Sequence, residues 1–256
     1  MRLRACGAFF CWFGLAANIS AQEPSQPYEF SRANTWTMFA EYSNTSSHML
    51  MGGARQRELA DFGLAYTRRV FRFKDSTLSY HIELRPVLFE SDPVQLTTYT
   101  ITNSTGAPVT GINTSGNEGE VNVGACKSSS ESVPVTISGE PNTLVYNYAI
   151  TCQRQWTYGQ AFSPLGFRYS MQTRRLIQPF FVGTLGYMYT NRPVPVSDAE
   201  AFNFVFDFGA GIEMFRSKSK SISLEARYHH FSNRDTAQAN PGTDNVMYKL
   251  SYSFGR

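Results

Sequence analysis

The segment from Phe202 to Met214, FNFVFDFGAGIEM, alternates between large apolar side chains and polar or small ones. Side chains of a β-strand point alternately to its two faces, so this pattern predicts a strand with one apolar face. The opposite face would carry Asp207 and Glu213. A soluble β-sandwich would bury phenylalanine or leucine there, whereas a membrane barrel is apolar outside and polar inside. The segment therefore favours a transmembrane β-barrel.

Seven further segments show comparable alternation, which brings the number of predicted strands to eight, an even number as expected for a single-chain outer-membrane barrel. The aromatic content of 14% is high, which favours the aromatic girdles of such barrels. We expect an all-β, eight-stranded antiparallel transmembrane barrel whose lumen is filled by side chains rather than forming a pore. The predicted strands are 35–42, 58–70, 77–88, 158–170, 175–190, 202–215, 220–232 and 244–254.

Residues 1–21 have the features of a secretory signal peptide: a basic start, MRLR, a short apolar run, ACGAFFCWFGLAA, and small residues near Ala21. The alternative is an anchoring helix, but the run is short for one. Residues 22–256 would then form a single barrel domain in the bacterial outer membrane. Removal of Arg2 and Arg4 lowers the formal charge of +3 by two. Nothing in this charge indicates nucleic acid as a partner.

Short and long connections alternate between the predicted strands, as the periplasmic turns and external loops of a barrel do. The longest link, residues 89–157, is predicted to be an external loop insertion with some β-hairpin structure. Cys126 and Cys152 remain after export, and in an oxidising compartment they are expected to form one disulfide. We expect this link to have no catalytic role. No metal site is indicated.

Three polar side chains share the apolar face of the last predicted hairpin. His230 and Ser232 have the parity of Ile222 and Leu224, and Asp244 has the parity of Leu250. A carboxylate, an imidazole and a hydroxyl together can hydrolyse an ester, because the imidazole takes the proton of the hydroxyl and the carboxylate orients the imidazole. Polar groups facing lipid are costly and therefore suggest a function.

The sequences His230-Phe-Ser232-Asn233 and Asn240-Pro-Gly242-Thr-Asp244 resemble the last-hairpin signature of the lipid A 3-O-deacylases, outer-membrane proteins also described as acyloxyacyl-hydrolase-like. The resemblance is strongest over residues 220–254. It implies an eight-stranded barrel with a Ser-His-Glu triad on its outer wall.

The resemblance assigns Ser232 as nucleophile, His230 as base and Asp244 as acid, with Asn233 and Asn240 helping to hold the oxyanion. It implies a serine esterase that removes an ester-linked (3-O) acyl chain from lipid A in the outer leaflet, without a metal or organic cofactor. One departure is notable: the family acid is glutamate, and Asp244 is one methylene shorter.

Other polar and aromatic residues receive weaker assignments. Arg234 is a candidate for binding a substrate phosphate, although a solvated loop arginine is the simpler interpretation. His229 has the opposite parity to His230 and should point into the lumen. Trp36, Tyr187 and Tyr189 are expected in the aromatic belts.

Two other functions stay open from the sequence. A non-catalytic barrel would bind a surface ligand through its disulfide-tied loop. A soluble eight-stranded carrier would hold a ligand in its lumen, although the polar inner face argues against it.

Overall fold

The computed structural model describes residues 30–43, 45–109, 119–136 and 144–256. The predicted signal peptide, residues 1–21, lies outside the described residues. These described parts form nine antiparallel strands, and they contain no helix long and apolar enough to cross a membrane. The strands are β1 (Asn34–Ser43), β2 (Glu58–Arg72), β3 (Ser76–Asn103), β4 (Ser129–Val135), β5 (Leu144–Met171), β6 (Ile177–Val194), β7 (Glu200–Ser217), β8 (Lys220–Ser232) and β9 (Thr243–Gly255).

Eight of these strands close into a barrel. The hydrogen-bonded order is β3-β2-β1-β9-β8-β7-β6-β5, and β3 also pairs with β5. The first and last strands are joined in register from Thr35 opposite Gly255 to Ser43 opposite Met247. Closure leaves no unpaired edge within the barrel wall. The predicted eight-stranded antiparallel barrel is thus confirmed, with β4 as an additional strand on β5.

Outward and inward side chains differ as a membrane barrel requires. In β7 and β8, Phe204, Ile212 and Leu224 are exposed, whereas Asn203 and Asp207 of the opposite parity are buried. Trp36, Tyr187 and Tyr189 are also exposed, as expected for belt residues. The outer wall is therefore apolar around a polar interior, the inverse of a soluble protein.

The lumen contains a network of paired charges. Glu83 accepts hydrogen bonds from Arg85 at 2.8 Å and from Arg227 at 2.9 Å. Arg85 also binds Asp207 at 3.0 Å, and Lys249 lies 2.9 Å from Glu41. Pairing offsets part of the cost of removing these charges from water. The paired side chains fill the lumen of the eight-stranded barrel.

A small apolar layer lies near one end of the barrel interior. Its members come from seven strands and the residues are almost completely buried: Leu59, Leu88, Ala161, Met188, Val194, Val205, Phe231 and Met247. Phe231 stands between His230 and Ser232 in the chain, so packing of its ring inward directs both neighbours outward.

The predicted long link is largely strand. β3 and β5 continue as one hairpin, with pairs from Ser91 opposite Trp156 to Asn103 opposite Leu144, and β4 adds a third strand. Their threonine, tyrosine and valine side chains favour extended backbone. The boundaries of 89 and 157 therefore do not mark strand ends. The disulfide between Cys126 and Cys152 is confirmed, and it ties the segment before β4 to β5.

Connections at one end of the barrel are short: residues 73–75, 172–176 and 218–219. At the other end lie 45–57, which we call the first external loop, and 233–242, which we call the last external loop. The connection between β6 and β7 was expected to be long, but it comprises only residues 195–199, because β6 and β7 both continue beyond their predicted ends.

Candidate active site

Three candidate catalytic residues lie where β8 and β9 approach the external loops. Asp244 is directly opposite His230 in the antiparallel register, and Ser232 ends β8. All three have the parity of the exposed residues Leu224 and Leu250. The period of two in both strands is thus sufficient to bring these side chains to one side of the barrel wall.

The closest contact in this group joins the imidazole and the carboxylate. His230 Nδ1 lies 2.7 Å from Asp244 Oδ1. A carboxylate only accepts hydrogen bonds, so Nδ1 carries the proton and donates it. In the neutral ring, Nε2 is then left with a free lone pair. This is the tautomer that a general base needs.

Asp244 is completely buried and held from two sides. The Tyr228 hydroxyl donates to Oδ1 at 2.6 Å, and the Tyr228 ring lies nearly parallel to that of His230, with centroids 6.4 Å apart. Oδ2 accepts backbone N–H groups of the first external loop: Met49 at 3.3 Å, Leu50 at 2.8 Å and Met51 at 2.9 Å. Such a set of donors fixes the position of the carboxylate.

Sequence reasoning missed both of these supports. Tyr228 had a signal, because it lies two residues before His230 on the same face of β8. The first external loop had none, since Leu50 and Asp244 are 194 positions apart in the chain.

Ser232 is half-buried at the end of β8. The hydrogen bonds of the described residues include none between Ser232 and His230. Two positions on the same face of a strand are separated by about 7 Å between their Cα atoms, so the two side chains meet only in suitable rotamers. Contacts of this kind commonly tighten when a substrate is bound.

Asn233 and Asn240 organise the last external loop. The Asn233 backbone N–H donates to Asn240 Oδ1 at 3.0 Å, and Asn233 Nδ2 donates to the Ala239 carbonyl at 2.8 Å. Asn240 Nδ2 donates to Asp235 at 3.0 Å. Each amide nitrogen carries a second hydrogen besides the one used in these bonds.

Three other positions of this loop, Arg234, Asp235 and Gly242, have left-handed backbone. Arg234 has φ of 55° and an exposed side chain, so it is available to a ligand but is not aimed by any recorded hydrogen bond. Gly242 has φ of 61°, and a Cβ there would lie 2.9 Å from His230 Cε1. Glycine at 242 therefore lets the loop pack against the imidazole.

His229 points in the opposite direction, as expected. It is buried in the lumen, where Nδ1 lies 2.6 Å from Asp207 Oδ1. Within the described ranges, no group of three or more His, Cys, Asp or Glu side chains is placed to hold a metal ion.

An apolar furrow runs along the outer wall on β7, β8 and β9, with a volume of about 560 Å³. Small side chains at Ala210 and Ala226 and larger ones at Leu224, Tyr248 and Leu250 line it. Ala226 precedes Ser232 by six strand positions, or roughly 20 Å.

Comparison with known proteins gives one family match. The model of the family described as "Lipid A 3-O-deacylase (PagL)" matches residues 137–253, which include every candidate site residue on β8, β9 and the last external loop. No curated protein matches the chain.

Several solved structures are similar at low identity. The outer membrane enzyme PagL is 12% identical, covers 86% of this chain and 99% of its own, and has a TM-score of 0.48. Neisserial surface protein A is 8% identical, with coverages of 87% and 97% and a TM-score of 0.37. OprG from Pseudomonas aeruginosa is 9% identical, with coverages of 88% and 98% and a TM-score of 0.35. Because these identities and TM-scores are low, the barrel fold is concluded from the strand pairing of this chain and not from the similar structures.

The family match and the apolar outer wall agree on location: this is a protein of the bacterial outer membrane. Residues 137–253, which carry the candidate site, match the model of the lipid A 3-O-deacylase family.

Proposed function

We propose that this protein is an outer-membrane esterase that removes the 3-O-linked acyl chain of lipid A, with Ser232, His230 and Asp244 as a catalytic triad on the lipid-facing wall. The observation that carries the proposal is the His230–Asp244 contact of 2.7 Å beside the half-buried hydroxyl of Ser232. The family match supports the substrate class.

In the first half-reaction, Ser232 Oγ attacks the ester carbonyl while His230 Nε2 takes its proton. The resulting imidazolium is stabilised by Asp244. The tetrahedral intermediate then collapses, the bond to the sugar oxygen breaks, and His230 returns the proton to that oxygen. The sugar leaves with a free hydroxyl, and the acyl chain remains bonded to Ser232.

In the second half-reaction, a water molecule replaces the sugar hydroxyl. His230 removes a proton from the water, which attacks the acyl-enzyme, and Ser232 regains its proton as the fatty acid leaves. Donors for the oxyanion would come from the remaining amide hydrogens of Asn233 and Asn240 and from nearby backbone N–H groups. No metal or organic cofactor is required by these steps.

The substrate would approach from the membrane rather than from the lumen. The ester would stop next to Ser232, and the acyl chain would extend from there along the apolar outer wall towards the furrow, whose near end is at Ala226. Arg234, exposed at the turn of the last external loop, is the candidate for a lipid A phosphate, because a guanidinium matches phosphate oxygens in pairs.

The decisive test is mass spectrometry of lipid A from cells that express the wild type or Ser232→Ala. The wild type should release one 3-O-acyl chain and the variant should leave lipid A intact. Ser217→Ala, at the opposite end of the barrel, is the matched control and should behave like the wild type. Identical lipid A in the wild type and Ser232→Ala would favour the non-catalytic barrel instead.

A further inference from the structure

The tip of the first external loop exposes three consecutive large apolar side chains. Leu50 is 72% exposed, Met51 55% and Met49 37%. A contiguous exposed apolar cluster of this kind usually marks a surface that meets another apolar phase. Since these side chains project away from the protein, packing within the barrel does not explain them.

The backbone of the same three residues holds the acid of the site. Their N–H groups converge on Asp244 Oδ2, at distances of 3.3, 2.8 and 2.9 Å. The side chains and the backbone of this tip therefore face two different partners: solvent or lipid on one side, and the carboxylate on the other.

Neighbouring contacts give the tip a defined shape. His48 Nδ1 donates to the Gly52 carbonyl at 2.8 Å, and Gly53 N–H donates to the Pro241 carbonyl of the last external loop at 2.7 Å. A Cβ at Gly52 would lie 2.5 Å from the Asp244 backbone nitrogen, so the chain passes too close for any other residue.

The apolar tip continues the lipid-facing wall. The outward column of β9 runs from Tyr252 through Leu250 and Tyr248 and ends at Asp244, where the loop begins to cover the strand. Tyr42 of the neighbouring strand β1 pairs with Tyr248 and is equally exposed on the same outer face. Continuity with this wall identifies the hydrocarbon of the outer leaflet as the phase that would cover Met49, Leu50 and Met51.

We propose that the tip of the first external loop inserts into the hydrocarbon of the outer leaflet and, through its backbone N–H groups, holds Asp244 in position for His230. The inference rests on the proposed function only in taking Asp244 as the acid of the triad. Met49, Leu50 and Met51 are then positioning residues, and contact with lipid at the tip stabilises the arrangement in which the acid is correctly placed.

The hydrogen bonds from the first external loop also explain how an aspartate can serve at position 244. Asp244 reaches His230 with one methylene fewer than the glutamate that the family resemblance implies. The loop amides and the Tyr228 hydroxyl supply four hydrogen bonds besides the one from His230, and these hold the short side chain rigidly.

The position of the tip can be measured by fluorescence in vesicles that contain lipopolysaccharide. Leu50→Trp is introduced into a Trp36→Phe, Trp156→Phe background, and acyl chains brominated along their length serve as quenchers. Strong quenching with a blue-shifted emission is expected. Val133→Trp in the same background, on exposed β4, is the matched control and should be quenched weakly. A water-like, unquenched emission from Leu50→Trp would overturn the proposal.

Coupling to the acid is tested by kinetics on lipid A in the same vesicles. Leu50→Asn keeps the backbone N–H but should lower kcat about tenfold, because burial of a leucine side chain is worth about one to two powers of ten in an equilibrium constant. Leu50→Met, which keeps a large apolar side chain at the tip, should retain the wild-type kcat. A wild-type kcat for Leu50→Asn would contradict the coupling.

The two proposals fail separately. Quenching is read without any reaction, so a Ser232→Ala protein that still deacylates lipid A would remove the proposed triad but leave the membrane insertion standing. Loss of activity in Ser232→Ala, together with an unquenched tip, would retain the triad and reject the insertion.

Discussion

Two adjacent histidines form similar contacts on opposite faces of β8. His229 Nδ1 lies 2.6 Å from Asp207 in the lumen, and His230 Nδ1 lies 2.7 Å from Asp244 on the other side of the wall. By distance alone the two pairs are equivalent. Their surroundings differ: Asp207 also binds Arg85 and Thr184, whereas Asp244 binds Tyr228 and the first external loop.

This difference shows that a histidine–aspartate contact is not in itself an active site. The lumen pair is one link in a network of buried charges that fills the barrel, and the His229 ring is not open to a substrate. The outer pair adjoins a half-buried serine and an apolar wall. Access to the lipid phase and a neighbouring hydroxyl separate a candidate catalytic pair from a structural one.

The largest expected effects separate the two histidines directly. His230→Ala should lower kcat on lipid A about 1,000-fold or more, because the base is removed. His229→Ala should keep activity within about threefold but lower stability by about 1–3 kcal/mol, since a buried oxygen of Asp207 loses its partner. Mass spectrometry of lipid A measures the rates of the two variants. Urea unfolding, followed by circular dichroism, measures their stability. Equal loss of activity in the two variants would remove the distinction.

The next effect concerns the two carboxylates. Asp244→Asn should lower kcat about 100- to 10,000-fold, because the amide cannot stabilise the imidazolium and can favour the wrong tautomer. Asp207→Asn should show the reverse, with lower stability and little change in kcat. Steady-state kinetics in lipopolysaccharide vesicles measures the activity of each variant, and the urea midpoint measures its stability. A wild-type kcat in Asp244→Asn would rule out Asp244 as the acid of the triad.

Tyr228→Phe tests how much the hydrogen bond from Tyr228 to Asp244 contributes to kcat. It removes one hydrogen bond to the Asp244 carboxylate but retains the aromatic ring beside His230. A hydrogen bond to a charged group contributes about 1.5–3 kcal/mol, and His230 and the loop amides still hold the acid, so we expect kcat to fall about tenfold. Tyr248→Phe, exposed on the same wall, is the control and should leave kcat unchanged.

The smallest effect is expected far from both pairs. Replacement of Cys126 and Cys152 by serine should change kcat by less than about twofold, because the disulfide joins the segment before β4 to β5 and neither cysteine lies on β8 or β9. The extension formed by β3, β4 and β5 should become more sensitive to protease, since the bond restrains its unfolded state. A large loss of deacylation would instead assign this extension a part in substrate binding.

Local periodicity was a reliable guide to the barrel and to the faces of its strands. The last strand was predicted as 244–254 and is observed as Thr243–Gly255, and β8 agrees at both ends. Side chains alternate along β8, so the order of residues in the sequence predicts that Phe231 packs inward. The same alternation predicts that His230 and Ser232 face outward. Strand length was harder, because β3 and β5 continue through a region in which alternation is weak.

The amide side chains were less predictable. Asn233 and Asn240 were expected at the oxyanion, yet their recorded hydrogen bonds join parts of the last external loop. A motif identifies which residues recur together, but an amide both donates and accepts. Only the positions of its neighbours decide which of these bonds it makes.

The sequence by itself determined the eight-stranded barrel, its apolar exterior and the common face of His230, Ser232 and Asp244, because each follows from the period of two along one strand. The tertiary structure alone decided which aspartate each histidine meets and which loop holds the acid. Closure of the barrel brings β1 beside β9, and with it the first external loop beside Asp244. Contacts made by closure join residues far apart in the chain, and no local pattern encodes them.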